Sequence, residues 1–332
     1  MIRTAIIGFG HLGKWHARKS LTLEKELPIK LSVIIEPSEA VREEASKEFP
    51  DCQLFSSIED AIAHFDAAIV VSPTSTHLEV MEPLLRGKKH ILCEKPMVAS
   101  LVEAKKLRNF LEGQALVFQV GHSERYRPVW EAYAKLPFNE TGPLSVRINR
   151  LAPFKGRAND VDVARDLMIH DLDALNILFK EPPILLFAHG KKYRTNHWDF
   201  VSASFHFPKS GSFAQVTAGR GLPNEIREVE IVGNAGSCHL DLLRNEIRYC
   251  SKGEATKTLT FGESDLLLDE QKEFFNAIIE CRKAKISFEE GYRAVFMVDK
   301  VLQAVEGPKL PISIPLQNSV HDREGTLQFL ST

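Results

Sequence analysis

A short apolar run, Arg3-Thr4-Ala5-Ile6-Ile7, leads straight into Gly8-Phe9-Gly10-His11-Leu12-Gly13. This is G-x-G-x-x-G at the end of a would-be strand, and a helix-like stretch, 14–21, follows it. The first glycine permits a sharp turn, and the second lets backbone N–H groups approach a pyrophosphate. The third lets helix and strand pack closely, so that the helix N-terminus directs its partial positive charge at the phosphates. A Gly-rich turn alone is a weak signal. Here a second strand-like run, Leu31-Ser32-Val33-Ile34-Ile35, ends in Glu36, about 20 residues beyond the loop, where an acid can bind a ribose. Strand, loop, helix, strand and acid together predict a dinucleotide site. A carboxylate at Glu36 accepts hydrogen bonds from a ribose 2′-hydroxyl and repels a 2′-phosphate, which favours NAD and leaves NADP possible; Arg42, a few residues on, bears on the same choice.

The chain has 332 residues, which predicts two domains. A hydrophobic share of 44%, a charged share of 26% and a formal net charge of -2 describe an ordinary globular protein. They give no field to collect nucleic acid or an anionic membrane. Met-Ile-Arg-Thr enters the first strand directly and no apolar run approaches membrane-spanning length, so a cytoplasmic protein is expected. Five widely spaced cysteines (52, 93, 238, 250 and 281), with no C-x-x-C, read as reduced thiols rather than a disulfide frame or a zinc site.

Up to about residue 120, apolar runs (3–8, 31–36, 67–72, 90–93, 115–120) alternate with helical stretches (12–22, 38–48, 57–63, 76–86, 100–111). Alternation of this kind predicts an α/β domain on a doubly wound parallel sheet over 1–120. Beyond it the rhythm changes. Helical stretches at 126–135 and 162–180 surround a strand at 144–151. Seven strand-like runs then follow (184–193, 198–207, 212–219, 226–233, 237–241, 245–250, 256–261), and two helices (266–283, 289–305) close the chain. Turn signals such as Pro208-Lys209-Ser210-Gly211 point to antiparallel neighbours. Residues 121–332 are therefore expected to form an α+β domain on a large, mostly antiparallel, open-faced sheet. The mixed second face of that sheet is expected to pair with another copy of the chain.

Glu94-Lys95-Pro96 ends the run His90-Ile91-Leu92-Cys93. In open parallel sheets ligands bind beyond the carboxyl ends of strands, so a lysine there can point into the cofactor crevice and serve as an acid or base. Asp166 and His170 stand four apart in a helical stretch. That spacing puts a carboxylate one turn from an imidazole, able to fix its tautomer and raise its basicity. Histidine suits the hydroxyl proton when an alcohol becomes a ketone and hydride leaves for nicotinamide. No third ligand is spaced to make a metal site of His170 with Asp166 or Asp173. No tyrosine has a lysine four residues later, and a zinc-binding cysteine cluster is missing.

These segments, with Ser72-Pro73-Thr74-Ser75-Thr76-His77, resemble in order the motifs of the glucose-fructose oxidoreductase / inositol dehydrogenase / MocA family. The likeness covers nearly the whole chain. It implies a Rossmann domain followed by a substrate and oligomerisation domain, and pairing through the open sheet as a homodimer or homotetramer. It also implies catalytic roles for Lys95, Asp166 and His170. Cofactor contacts are implied for Gly8 to Gly13, Glu36, Ser72, Pro73, Thr74, Thr76, His77, Glu94 and Lys95. Gly121-His122-Ser123-Glu124-Arg125-Tyr126-Arg127-Pro128 is similar to a segment of the branch that oxidises UDP-amino sugars, with Tyr126-Arg127 and Arg165 as departures. The resemblance thus implies oxidation of a sugar hydroxyl, most closely the 3-hydroxyl of a UDP-amino sugar. Glu124, Arg125, Arg150 and Arg157 are expected at the substrate, the arginines gripping a diphosphate. A free sugar, inositol or imine is the neighbouring expectation. A dinucleotide-binding sensor without turnover is the expectation from another class, disfavoured by the intact Lys95, Asp166 and His170.

Overall fold

The first sheet forms because the inner parts of its strands are mainly apolar, as expected when both faces are covered. Residues 67–70, for example, are buried at every position. A computed structural model describes residues 1–136, 142–154, 156 and 161–307. The sheet contains β1 (Ile2–Ile7), β2 (Ile29–Ile35), β3 (Gln53–Phe55), β4 (Ala67–Val70), β5 (His90–Glu94) and β6 (Phe118–Gly121), in the order β3-β2-β1-β4-β5-β6. The order reverses beside β1, so the carboxyl ends of β1 and β4 open the crevice where such sheets bind ligands. Between the strands run α1 (His11–Leu23), α2 (Glu39–Glu48), α3 (Ile58–Ala61), α4 (His77–Arg86) and α5 (Leu101–Leu111). The three-residue β3 lies in 49–56, where the sequence pattern predicts no strand.

After α6 (Pro128–Ala134), with proline in its first turn, comes β7 (Leu144–Ala152). A π-turn, Ala164–Met168, then opens α7 (Ile169–Leu178), where the spacing predicts one α-helix over 162–180. Next are β8 (Ile184–Lys191), β9 (Phe200–Phe207), β10 (Ser212–Arg220), β11 (Ile226–Gly233), β12 (Gly236–Asp241), β13 (Glu246–Ser251) and β14 (Lys257–Thr260). These join β7 in an eight-stranded sheet ordered β14-β13-β12-β11-β7-β10-β9-β8. Its pairings are antiparallel except β7 with β10, which are parallel. The described architecture is thus a Rossmann domain plus a mostly antiparallel second sheet, as expected.

Strict alternation on β7 and β10 divides the second sheet into two faces. Leu144, Val146, Ile148, Ala214 and Val216 enter the core, while Ser145, Arg147, Phe213 and Gln215 face outward. Arg150 has the parity of the buried face, which sets it toward the site. The last two helices return to the first sheet. From α8 (Leu266–Ile279), Phe274 and Phe275 pack with Phe9, Ala17 and Leu92, and α9 (Phe288–Glu306) contributes Phe288 and Val295 to the opposite layer. Farther along α9, Met297, Val298 and Val301 join the core of the second sheet, so one helix braces both. No helix among the described residues is long and apolar enough to cross a membrane.

Candidate active site

The loop after β1 is built on glycine for steric reasons. Gly8 has φ +90, and a Cβ there would come 2.8 Å from the Ser72 nitrogen. A Cβ on Gly13 would stand 2.1 Å from the Gly8 carbonyl oxygen, an impossible contact. At Gly10 the equivalent space is empty to 4 Å, leaving an open cradle over the N-terminus of α1. Phe9 is buried edge-on against Phe49 at 5.6 Å, whereas His11 and Leu12 are exposed at the first turn. Glu36 receives the Phe9 N–H at 2.9 Å on one oxygen and the Ser38 N–H at 3.0 Å on the other. Its carboxylate is therefore held at the rim of the cradle. Arg42 donates to the Glu36 and Pro37 carbonyl oxygens, both at 2.7 Å, which ties its guanidinium to the turn. An empty space over unpaired helix N–H groups, with an aligned carboxylate beside it, fits a dinucleotide.

The segment after β4 is a tight turn in which the Thr76 hydroxyl lies 2.9 Å from that of Ser72 and donates to the Pro73 carbonyl. His77 is buried rather than facing the crevice. Its ring nitrogens lie 2.8 Å from the Ser72 carbonyl and 3.0 Å from that of Pro96, so it clasps the turn to the Lys95-Pro96 segment. Burial holds the imidazole below its ordinary pKa despite those two carbonyl contacts. Glu94 also turns inward, toward His16, at 2.9 Å.

Lys95 extends the other way. Its Nζ donates to the Asp166 carbonyl oxygen at 2.9 Å and lies 3.7 Å from the Asp166 carboxylate. The π-turn presents both groups of Asp166 to the lysine, so this aspartate orients Lys95. The imidazole Nδ1 of His170 is buried and has no hydrogen-bond partner among the described residues. Burial first, and then the charge of Lys95, hold His170 well below its ordinary pKa, so the ring is neutral and able to accept a proton. Lys95, Asp166 and His170 line one cavity of about 310 Å³, closed by the carboxyl ends of β7 and β10.

Sequence reasoning missed three charged residues there, Arg220, Glu225 and Arg227. The register of β11 on β7 puts Arg227 opposite Arg150, and the two are far apart in the chain. Arg227 binds Glu124 at 3.2 Å and Glu225 at 2.7 Å. Glu124 also meets Arg127, and Arg150 at 3.5 Å. Burial raises the Glu124 carboxyl, but Arg150, Arg127 and Arg227 outweigh it and bring it down to about 2. Arg150 is 2.9 Å from Asp171, whose carboxyl burial raises to about 6 against the pull of that arginine. Arg125 is paired bidentately with Asp173, at 2.7 and 2.6 Å, and is not part of the cavity wall. The expectation that Arg125 is available to a diphosphate does not match this pairing, since its fork is already filled by a carboxylate. Arg157 lies outside the described residues.

Residues 2–122 match the family described as "Oxidoreductase family, NAD-binding Rossmann fold", and residues 149–239 match "GFO/IDH/MocA C-terminal domain". The chain is similar to UDP-N-acetylglucosamine 3-dehydrogenase of Acidithiobacillus ferrooxidans, at 31% identity over 92% of this chain and 97% of that one. A solved structure of that enzyme superposes with a TM-score of 0.84, covering 92% of this chain and 98% of that one. Similarity also extends to scyllo-inositol 2-dehydrogenase (NAD(+)) of Bacillus subtilis, at 27% identity over 74% of this chain and 75% of the relative. Levoglucosan dehydrogenase in complex with NADH shares the fold, with a TM-score of 0.83 at 19% identity over 92% and 96% of the two chains.

Proposed function

We propose that this chain, which belongs to the GFO/IDH/MocA family of NAD-dependent oxidoreductases acting on CH–OH groups, oxidises the 3-hydroxyl of a UDP-amino sugar. The observation that carries the reading is the meeting of Lys95, Asp166 and a neutral His170 in one cavity, in a chain 31% identical to a UDP-N-acetylglucosamine 3-dehydrogenase. The Gly8 to Gly13 loop and Glu36 would hold NAD, which would supply the hydride acceptor. His170 takes the hydroxyl proton onto its imidazole as the C–H bond yields its electron pair. Lys95, held by the Asp166 carbonyl, directs a remaining Nζ–H at the reacting oxygen and stabilises charge developing there. The products are a ketone, reduced cofactor and a protonated His170, which returns its proton to solvent. Arg227, at the cavity wall with its side chain 30% exposed, is the arginine this reading assigns to the diphosphate, while Arg220 beside it is held by Asp199 at 2.7 Å.

A second reading keeps the chemistry and replaces the substrate with a free sugar or inositol. It is favoured by a cavity of about 310 Å³ and by carboxylates already engaging Arg125, Arg150 and Arg227. NADH formation with UDP-N-acetylglucosamine, N-acetylglucosamine and inositol, with UDP as competitor, separates the two. Turnover confined to the nucleotide sugar and inhibition by UDP support the first; rapid inositol oxidation indifferent to UDP replaces it with the second. We further assign the outward face of the second sheet to pairing of two copies. Phe213 and Val232 are exposed there beside the Arg147–Glu230 ion pair, around a groove of about 750 Å³. A monomer by light scattering contradicts that assignment.

A further inference from the structure

Behind Lys95, away from the cavity, three elements bring ionisable groups together in the dry interior. Glu94 ends β5, His16 comes from α1, and Glu270 and Gln271 come from α8; His16, Glu270 and Gln271 are 0% exposed. The Gln271 amide nitrogen donates to the His16 carbonyl at 3.0 Å and faces His16 Nδ1 at 2.9 Å, while its oxygen accepts from Ser20. Rotating the amide would oppose two oxygens, so Nδ1 is the acceptor and the imidazole proton is on Nε2. That proton goes to Glu94 Oε1 at 2.9 Å, and Glu94 Oε2 accepts the Lys95 backbone N–H at 3.1 Å. Glu94 is therefore fully engaged. Glu270 is not: among the described residues neither of its carboxylate oxygens has a hydrogen-bond partner, although one of them, a Glu94 oxygen and a His16 ring nitrogen all lie within 4.8 Å of one another. Gln119 donates to the Glu270 carbonyl, and its own Oε1 is also unpartnered. This layer has more acceptors than donors, and an ionised Glu270 would stand uncompensated next to a second carboxylate.

A cation or a proton would cure that shortage. A cation bound by His16 would need the Nε2 lone pair and would push the imidazole proton onto Nδ1, against the Gln271 amide hydrogens. The tautomer therefore selects the proton. We propose that Glu270 is a neutral carboxylic acid, its proton kept by burial beside the Glu94 carboxylate, and that it acts as a positioning residue keeping Glu94 against the Lys95 backbone. The positioning role rests on the reading of Lys95 as the group that meets substrate; the protonation state does not. The groups facing this pair are His16 from α1, Lys95 beyond β5, His122 after β6 and Tyr126 from the turn against α8. Burial, then the charge of Glu94, move Glu270 well above the ordinary carboxylate range. Burial also raises Glu94, but His16 and Lys95 outweigh it and leave that carboxyl lowered.

The test is Glu270→Gln, an amide of the same shape that keeps a donor and cannot ionise. A folded-state proton lost on unfolding makes wild-type stability fall as pH rises above the unfolded value of 4.5, about tenfold in the unfolding equilibrium per pH unit. Glu270→Gln lacks that slope, so its melting temperature relative to wild type climbs with pH. Difference infrared spectra of the wild type at neutral pH should show a protonated-carboxyl stretch, which Glu270→Gln removes. Glu270→Ala should lower kcat about tenfold with little change in NADH affinity, and Glu270→Gln should restore it. Parallel melting curves, or a wild type without the protonated band, overturn the neutral acid; the infrared result decides even where a variant fails to fold. A stoichiometric divalent cation in purified wild type, lost in Glu270→Gln, overturns it in favour of metal. An unchanged kcat in Glu270→Ala removes the positioning role alone.

Discussion

Arg150→Met removes the cation from a buried ion-pair cluster next to the cavity, and its cost can be worked from the geometry. Arg150 reaches Asp171 at 2.9 Å and Glu124 at 3.5 Å, with side-chain exposures of 4%, 1% and 12% for the three residues. Glu124 retains Arg127 and Arg227 when Arg150 goes, so it stays neutralised. Asp171 keeps only the more distant charge of Arg227, and among the described residues its second oxygen is unpaired already. Removing one member of a buried pair costs about 3–5 kcal/mol when the remaining charge cannot escape. Asp171 can escape by taking up a proton. Its folded-state carboxyl, raised to about 6 against an unfolded value of 3.8, makes wild-type stability fall as pH rises between those values and level off above. Without Arg150 that carboxyl moves higher, so the fall continues into the neutral and alkaline range. We expect a loss of about 3 kcal/mol near pH 8, shrinking toward the ~1 kcal/mol of a missing hydrogen bond near pH 5. At about 2–4 °C per kcal/mol, the melting temperature should drop by about 6–12 °C at the higher pH and by a third of that at the lower. Calorimetric scans of both proteins across that range provide the assay. An equal loss at both pH values, or less than about 1 kcal/mol near pH 8, refutes the reasoning.

Lys95→Ala and His170→Ala should each lose at least ~100-fold in turnover while NADH still binds, measured by steady-state rates and fluorescence titration. Near-full turnover in either would remove that residue from the chemistry. The unmodified protein should prefer NAD to NADP, and Glu36→Ala should narrow the preference; equal affinities before mutation contradict the role of Glu36. Gly13→Ala puts a methyl group 2.1 Å from the Gly8 carbonyl, so it should abolish cofactor binding and lower the melting temperature, whereas Gly10→Ala, into open space, should keep the fold.

The parallel domain was legible because its signals are local. Apolar runs, glycine positions and the acid at Glu36 all lie within short windows, and the loop, the cofactor and the order of elements followed from them. The second sheet was legible as strands but not as a register. The parallel union of β7 with β10, and the pairing that sets Arg227 beside Arg150, depend on contacts remote in sequence. Two local patterns were replaced by tertiary ones. The spacing of Asp166 and His170 suggests a helical pair, but the chain opens a π-turn and gives Asp166 to Lys95. His77 and Glu94, in segments whose likeness implied cofactor contact, turn inward and brace the turns beneath it. Burial decided both outcomes, and no residue type announces it. His16 and Glu270 carried no signal at all, because each needs the other and Glu94 to have meaning.

Isotope tracing follows hydride transfer from a sugar carbon to NAD beside Lys95 and His170. UDP-N-acetylglucosamine carrying deuterium at C3 is incubated with the protein and NAD, and the reduced cofactor is read by proton NMR. One deuterium on the C4 methylene of the nicotinamide and a 3-keto nucleotide sugar in equal amount are expected. Deuterium retained on the sugar, with NADH formed unlabelled or from another polyol, contradicts that transfer.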